Sequence, residues 1–234
     1  MTILQLNNLS IGYKDKIVAD NITAALREGS LTCLVGRNGC GKSTLMRTVA
    51  AFQQPLGGSA GMSCDGGMRN VRELTPVERA RMISVVLTER ADLQNMTVRE
   101  VVAMGRSPYT GYWGRLSSED EKVVEESMRY MGIEAMAERM AQTLSDGERQ
   151  KMMIAKALAQ QTPLILLDEP TAFLDYPSKV ETMVMLHRLC CEQKKAVLIS
   201  THDLDVALRH CDGVWLMEDG SLRECQPNEL KIES

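Results

Sequence analysis

One unbroken stretch carries the most specific chemistry in the chain: Gly36-Arg37-Asn38-Gly39-Cys40-Gly41-Lys42-Ser43-Thr44. It fits the spacing G-x-x-x-x-G-K-[ST], follows the apolar run Leu31–Val35, and leads into Leu45–Val49, so the order is strand, glycine-rich turn, helix. Glycines let the backbone curl and present its N–H groups to an anion, where β-carbons would obstruct the path. The helix N-terminus adds about half a positive charge facing that anion. Lys42 can reach the β- and γ-phosphates of a nucleotide, and the Ser43 hydroxyl can ligate Mg²⁺. A second group follows the uninterrupted apolar run Leu164–Leu167, namely Asp168-Glu169, and a third is His202, after Ala196–Ile199. Ligands of open parallel sheets bind beyond the carboxyl ends of the strands. Lys42, Asp168, Glu169 and His202 can therefore converge on one edge. There one carboxylate can hold Mg²⁺, and one can take a proton from an attacking water.

The elements that must position these groups read as α/β, with strands alternating with helices. Alternating apolar residues predict a strand over Thr2–Leu9, then a turn at Gly12-Tyr13-Lys14-Asp15 and a second strand over Ile17–Leu26. Pro55–Gly61 reads as a loop by composition. Thr75-Pro76-Val77-Glu78 reads as an N-cap with proline at the first helical position, and Ile83–Leu87 as a buried strand. Residues 91–145 are polar, Met-rich and helical in pattern. Ser118 with Glu121 forms a capping-box pattern there. Val124, Met128 and Met131 share one face as adaptable core packing, and Gly132 can end that helix. Gly105–Gly114, dense in glycine and aromatics, reads as a loop. Helices are predicted over Gly147–Ala159, Ser178–Glu192 and the segment ending near His210. Val214–Met217 and Leu222–Glu224 should pair across Asp219-Gly220-Ser221.

Composition bounds the rest. The chain has 234 residues, 44% hydrophobic and 25% charged, with net charge −4. That balance gives no electrostatic case for nucleic acid or an anionic membrane surface. Met1–Leu9 lacks the basic and apolar regions of a secretory signal, and no apolar run approaches the roughly 18 residues needed to span a bilayer. The expectation is a cytosolic chain. Its seven cysteines and three histidines form no zinc-like grouping, so free thiols are expected.

Taken together, the motifs resemble those of the ATP-binding subunit of ABC transporters, over essentially the whole chain. Gly36–Thr44 resembles a Walker A motif, Leu164–Glu169 a Walker B motif, and Leu144-Ser145-Asp146-Gly147-Glu148 the ABC signature. Phe173-Leu174-Asp175 resembles the D-loop and His202 the switch histidine. Gly105-Arg106-Ser107-Pro108-Tyr109 further resembles the subgroup serving importers of iron–siderophore, haem and cobalamin.

The resemblance implies a P-loop NTPase core with an N-terminal antiparallel β part and an inserted α-helical subdomain. The single ABC domain would divide into 1–90 with 160–234 as core and 91–159 as helical subdomain. It implies ATP and Mg²⁺ as cofactors. Tyr13 would stack on adenine, and Gly36, Arg37, Asn38, Gly39, Cys40, Gly41, Lys42, Ser43 and Thr44 would cradle phosphates. Ser43 and Asp168 would hold Mg²⁺. Glu169 would be the general base, with His202 placing water and γ-phosphate. Two copies would sandwich two ATPs head to tail, so that Ser145, Gly147 and Glu148 of one close on the γ-phosphate held by the other. Closure would drive integral-membrane permease subunits, docked on residues 91–116, and indirectly serve a substrate-binding protein. The subunit would be cytoplasmic, peripheral on the inner face of the cell membrane, and would power import of an iron–siderophore or related metal chelate. No nucleic acid is expected as partner.

Three residues depart from the family pattern. Thr88 stands where a glutamine usually contacts Mg²⁺ and the attacking water, so Glu89 or a water would have to substitute, with coupling retained. Asp146 replaces a usual glycine of the signature. Cys40 replaces a common serine, either as a small filler or as a thiol whose ionised form Lys42 and the helix N-terminus would favour. Two other readings follow. A chromosome-maintenance, translation or cluster-assembly ABC protein would carry a long coiled coil or a second P-loop, and the sequence has neither. A nucleotide-sensing module that barely hydrolyses would draw on Thr88 and Asp146.

Overall fold

The computed structural model describes residues 1–14, 16–87, 93–111 and 113–230. In chain order the regular elements are β1 (Thr2–Tyr13), β2 (Lys16–Arg27), β3 (Leu31–Val35), α1 (Lys42–Val49), β4 (Gly57–Cys64), β5 (Gly67–Asn70), α2 (Pro76–Met82) and β6 (Ile83–Val86). They continue with α3 (Val98–Ala103), α4 (Ser118–Tyr130), α5 (Asp146–Ala159), β7 (Leu164–Asp168), α6 (Tyr176–Gln193), β8 (Ala196–Thr201), α7 (Leu204–His210), β9 (Gly213–Glu218) and β10 (Ser221–Cys225). The chain divides into two compact units, Met1–Val85 with Pro163–Ser234, and Val86–Thr162.

In the first unit the described residues form two sheets. One is antiparallel, in the order β2-β1-β4-β5; the other runs β10-β9-β3-β8-β7-β6. Strand β3 lies parallel between β8 and β9, and β7 lies parallel to β8 with Asp168 opposite Ser200. Every residue of β3, β7 and β8 is buried, which is why these strands are continuous apolar runs rather than alternating ones. Leu4, Leu6 and Ile22 of the antiparallel sheet, Leu45 and Met46 of α1, and Leu166, Leu198 and Trp215 of the other sheet share one core. Helix α1 is thereby clamped on its apolar face while its N-terminus stays at the sheet edge. Strands β9 and β10 pair through Val214–Cys225, as the turn at Asp219-Gly220 predicts.

One expected loop is a strand. Gly57–Cys64 forms β4, which pairs with β1 from Leu4↔Met62 to Ser10↔Gly57. A β-carbon on Gly58, whose φ is +67°, would meet the Asn8 carbonyl oxygen at 2.1 Å. The glycines permit close approach to a bulged neighbouring strand, a role that composition alone presents as a loop.

In the second unit α3, α4 and α5 bury Val98, Val101, Val124, Met128, Met131, Met152 and Ile154 against one another. The methionine stripe is core. The capping box of α4 lies one residue earlier than expected: Ser117 is the N-cap and Asp120 its reciprocal partner, in place of Ser118 and Glu121. Asp120 is drawn into that role by Arg106, whose Nε donates to Asp120 Oδ1 at 2.8 Å with both side chains buried. The same guanidinium donates to Ala159 O at 2.7 Å and to Gln161 Oε1 at 2.8 Å, and lies 4.0 Å over the Tyr109 ring. Tyr109 donates its hydroxyl to Gln160 O at 3.0 Å. The Gly105–Tyr109 segment thus satisfies carbonyls left open at the C-terminus of α5.

Candidate functional site

Three loops leave the parallel sheet at the carboxyl ends of β3, β7 and β8, and each carries one of the groups singled out above. The first turns at Gly36, where a β-carbon would meet the Met217 carbonyl oxygen at 2.4 Å, so a side chain is excluded. It ends at Gly41, the N-cap of α1, which makes no side-chain capping bond. The first N–H groups of α1 are left for an anion, and the helix dipole favours one. Lys42 is 7% exposed, and its ammonium donates to Gly36 O at 2.8 Å and Arg37 O at 3.3 Å. Asn38, Gly39, Gly41, Lys42, Ser43 and Thr44 line a cavity of about 470 Å³ together with Tyr13, Lys16, Val18 and Glu169. Cys40 is half-buried and packs against the core beneath the loop.

Tyr13, the last residue of β1, stands at the rim of that cavity, 52% exposed. Its hydroxyl is 3.2 Å from Thr44 Oγ1, which anchors the ring beside the loop and leaves ring surface in solvent.

The second loop begins at Asp168. Its Oδ1 accepts from Ser43 Oγ at 3.3 Å and from Ser200 Oγ at 2.5 Å. Glu169 follows in a left-handed conformation, φ 51°, unusual for a residue other than glycine, asparagine or aspartate. Its N–H donates to Ser200 O at 3.2 Å and Ser200 Oγ at 2.9 Å. This sharp turn aims the Glu169 carboxylate at the third loop, where Oε2 meets His202 Nδ1 at 2.8 Å. Asp203, beside the histidine, is held by Lys179 of α6 at 2.7 Å. Ser200 and Lys179 are the residues missed from sequence. The signal for Ser200 was a hydroxyl at the end of the apolar run Ala196–Ile199.

Lys42, Ser43, Asp168, Glu169 and His202 are therefore brought together in one unit. Ser145, Gly147 and Glu148 lie in the other, at the start of α5. There Ser145 Oγ accepts from Glu148 N–H at 3.3 Å, and Glu148 Oε2 accepts from Ser145 N–H at 2.8 Å. The Ser145 N–H and hydroxyl at that carboxylate, with Arg139 beside it, lower the Glu148 pKa. Asp146 is exposed at the first helical position, where its charge is favourable to the helix dipole. Thr88 and Glu89 lie outside the described residues.

The ABC transporter family model matches residues 19–172 of this chain. The chain belongs to the ABC transporter family. This ABC protein is 40% identical over 217 residues to the ABC transporter ATP-binding protein MJ0873 of Methanocaldococcus jannaschii, spanning 93% of this chain and 73% of that one. It is 34% identical over 219 residues to the ferric enterobactin transport ATP-binding protein FepC of Escherichia coli, spanning 94% and 79%. Among solved structures, one named as an ABC transporter of metal-chelate type, in an inward-facing conformation, superposes with a TM-score of 0.85 at 25% identity. It covers 98% of this chain and 85% of that one. The ABC transporter family binds ATP. Among the described residues no helix is long and apolar enough to cross a membrane.

Proposed function

We propose that this chain is the ATP-hydrolysing subunit that powers an ABC importer of an iron–siderophore or related metal chelate. The observation that carries the reading is the pairing of carboxylates with distinct partners at one sheet edge: Asp168 with Ser43, and Glu169 with His202. Tyr13 stacks on the adenine, the loop Gly36–Thr44 cradles the phosphates, and Lys42 exchanges its carbonyl partners for β- and γ-phosphate oxygens. Glu169 accepts a proton from the water that attacks the γ-phosphorus, while His202 holds the carboxylate in place. The γ-phosphoryl group passes to that water and ADP leaves.

Ser43 and Asp168 fit Mg²⁺, because both offer hard oxygen donors 3.3 Å apart beside the phosphate cavity. When bound, the ion neutralises charge on the β- and γ-oxygens.

The active form is a head-to-tail dimer in which Ser145, Gly147 and Glu148 of each copy complete the other copy's site. Residues 91–116 dock on the permease; Met104 and Trp113, 42% and 83% exposed, supply apolar surface for a protein partner. The chain is a single ABC domain, with 1–90 and 160–234 as its core and 91–159 as its helical subdomain, peripheral on the cytoplasmic face of the membrane. The cargo reading is supported by the names of relatives such as FepC. Purification with its membrane partner, followed by ATPase assay with and without Mg²⁺ and ferric siderophore, tests it. Expected is Mg²⁺-dependent turnover, with an integral-membrane permease co-purifying. Absence of hydrolysis in that complex would overturn the assignment.

A further inference from the structure

Ser200 is the penultimate residue of β8, fully buried, directly opposite Asp168 in the parallel ladder. Ala196, Val197, Leu198 and Ile199 before it are apolar, so Ser200 is where the strand turns polar. A hydroxyl carries one proton and two lone pairs. The proton goes to Asp168 Oδ1 at 2.5 Å, and a lone pair receives the Glu169 N–H at 2.9 Å. Both capacities are committed, and they are committed to two consecutive carboxylate residues.

We infer that Ser200 is the positioning residue that sets both carboxylates of the ATPase site, and the inference rests on the ATPase reading above. On Asp168 the bond fixes the rotation of the carboxylate. Ser43 and Ser200 both donate to Oδ1. Partners of this kind orient ligating carboxylates, and their loss typically lowers metal affinity or activity by roughly 10- to 100-fold. On Glu169 the bond holds a left-handed backbone that this residue type adopts only when its surroundings impose it. That backbone carries the carboxylate to His202. Removing the hydroxyl therefore loosens the metal ligand and the general base together. The fold is kept, because the Ser200 carbonyl still accepts the Glu169 N–H.

The test uses Ser200→Ala and the isosteric pair Ser200→Thr and Ser200→Val, which share bulk and differ by the hydroxyl. Mn²⁺ binding in the presence of a non-hydrolysable ATP analogue is read by electron paramagnetic resonance, alongside turnover as a function of Mg²⁺. Expected for Ser200→Ala is a tenfold or greater weakening of Mn²⁺ and a drop in turnover of roughly 10- to 100-fold, with nucleotide affinity in the absence of metal within twofold of wild type. The Thr variant should exceed the Val variant by about tenfold in both readouts. Mn²⁺ affinity and turnover within twofold of wild type for Ser200→Ala, or equal behaviour of Thr and Val, would overturn the role of Ser200. A wild-type protein that hydrolyses no ATP would overturn the ATPase reading itself.

Discussion

Glu169 Oε2 and His202 Nδ1 lie 2.8 Å apart, although 33 residues separate them in sequence. The contact exists because β7 and β8 are adjacent and parallel, and because the Glu169 backbone turns sharply as it leaves β7. A carboxylate held by an imidazole, at the rim of a phosphate cavity, has one rotamer rather than several.

That geometry makes Glu169→Gln informative. The amide keeps the shape and the contact with His202 but cannot accept a proton. Turnover should fall by roughly 10²- to 10⁴-fold, the usual range for a general base, while ATP affinity stays near wild type. The unhydrolysed nucleotide should then accumulate in a dimer, visible by light scattering. Turnover close to wild type would remove Glu169 from the base role.

Tyr13 separates ring from hydroxyl. Its hydroxyl contacts Thr44 at 3.2 Å while the ring remains half exposed at the cavity rim. Base–aromatic stacking is worth about 1–3 kcal/mol, so Tyr13→Ala should weaken ATP binding by roughly 5- to 150-fold. Tyr13→Phe should remain within a few-fold. Equal losses in the two variants, measured by calorimetric titration, would locate the effect in the hydroxyl contact instead.

Asp120 gives the helical unit a pH dependence of known sign. The Ser117 hydroxyl, the Ser117 N–H and the Arg106 guanidinium hold its carboxyl at about 2, below the usual 3.8. A depressed folded-state pKa contributes stability that is present in full above about 3.8 and is lost as pH falls through about 2. Asp120→Asn removes the counter-charge of a buried guanidinium, which costs up to about 3–5 kcal/mol at neutral pH. In thermal melts of the whole chain, the gap between wild type and Asp120→Asn should be constant above pH 5 and close as pH falls from about 4 toward 2. A gap independent of pH over that range would assign the loss to packing.

Local signals carried most of the site. The loop Gly36–Thr44, the pair Asp168-Glu169 and His202 were legible because each follows a continuous apolar strand, and the ends of parallel strands share an edge. What stayed hidden depends on register. Ser200 matters because it faces Asp168 across the ladder, and nothing within its own strand announces that pairing. Gly57–Gly61 has the composition of a loop, yet the fold uses its missing β-carbons to bring β4 against the bulge at Asn8. At the start of α4 two serines each have an acid three residues on, so the pattern alone could not choose. Arg106, reaching Asp120 from another element, decides for Ser117.

The fastening of Gly105–Tyr109 to the C-terminal carbonyls of α5 has a mechanical meaning. Helix α5 is a continuous run of 14 residues, a rod about 21 Å long at 1.5 Å per residue. One end is gripped by a guanidinium and a phenol; the other carries Ser145, locked to Glu148 by paired hydrogen bonds. The C-terminal end is fastened to another segment, and the N-terminal end is closed by its own capping box. Tyr109 and Ser145 therefore sit at opposite ends of one hydrogen-bonded rod, and a helix is the element that ties the position of one to the position of the other.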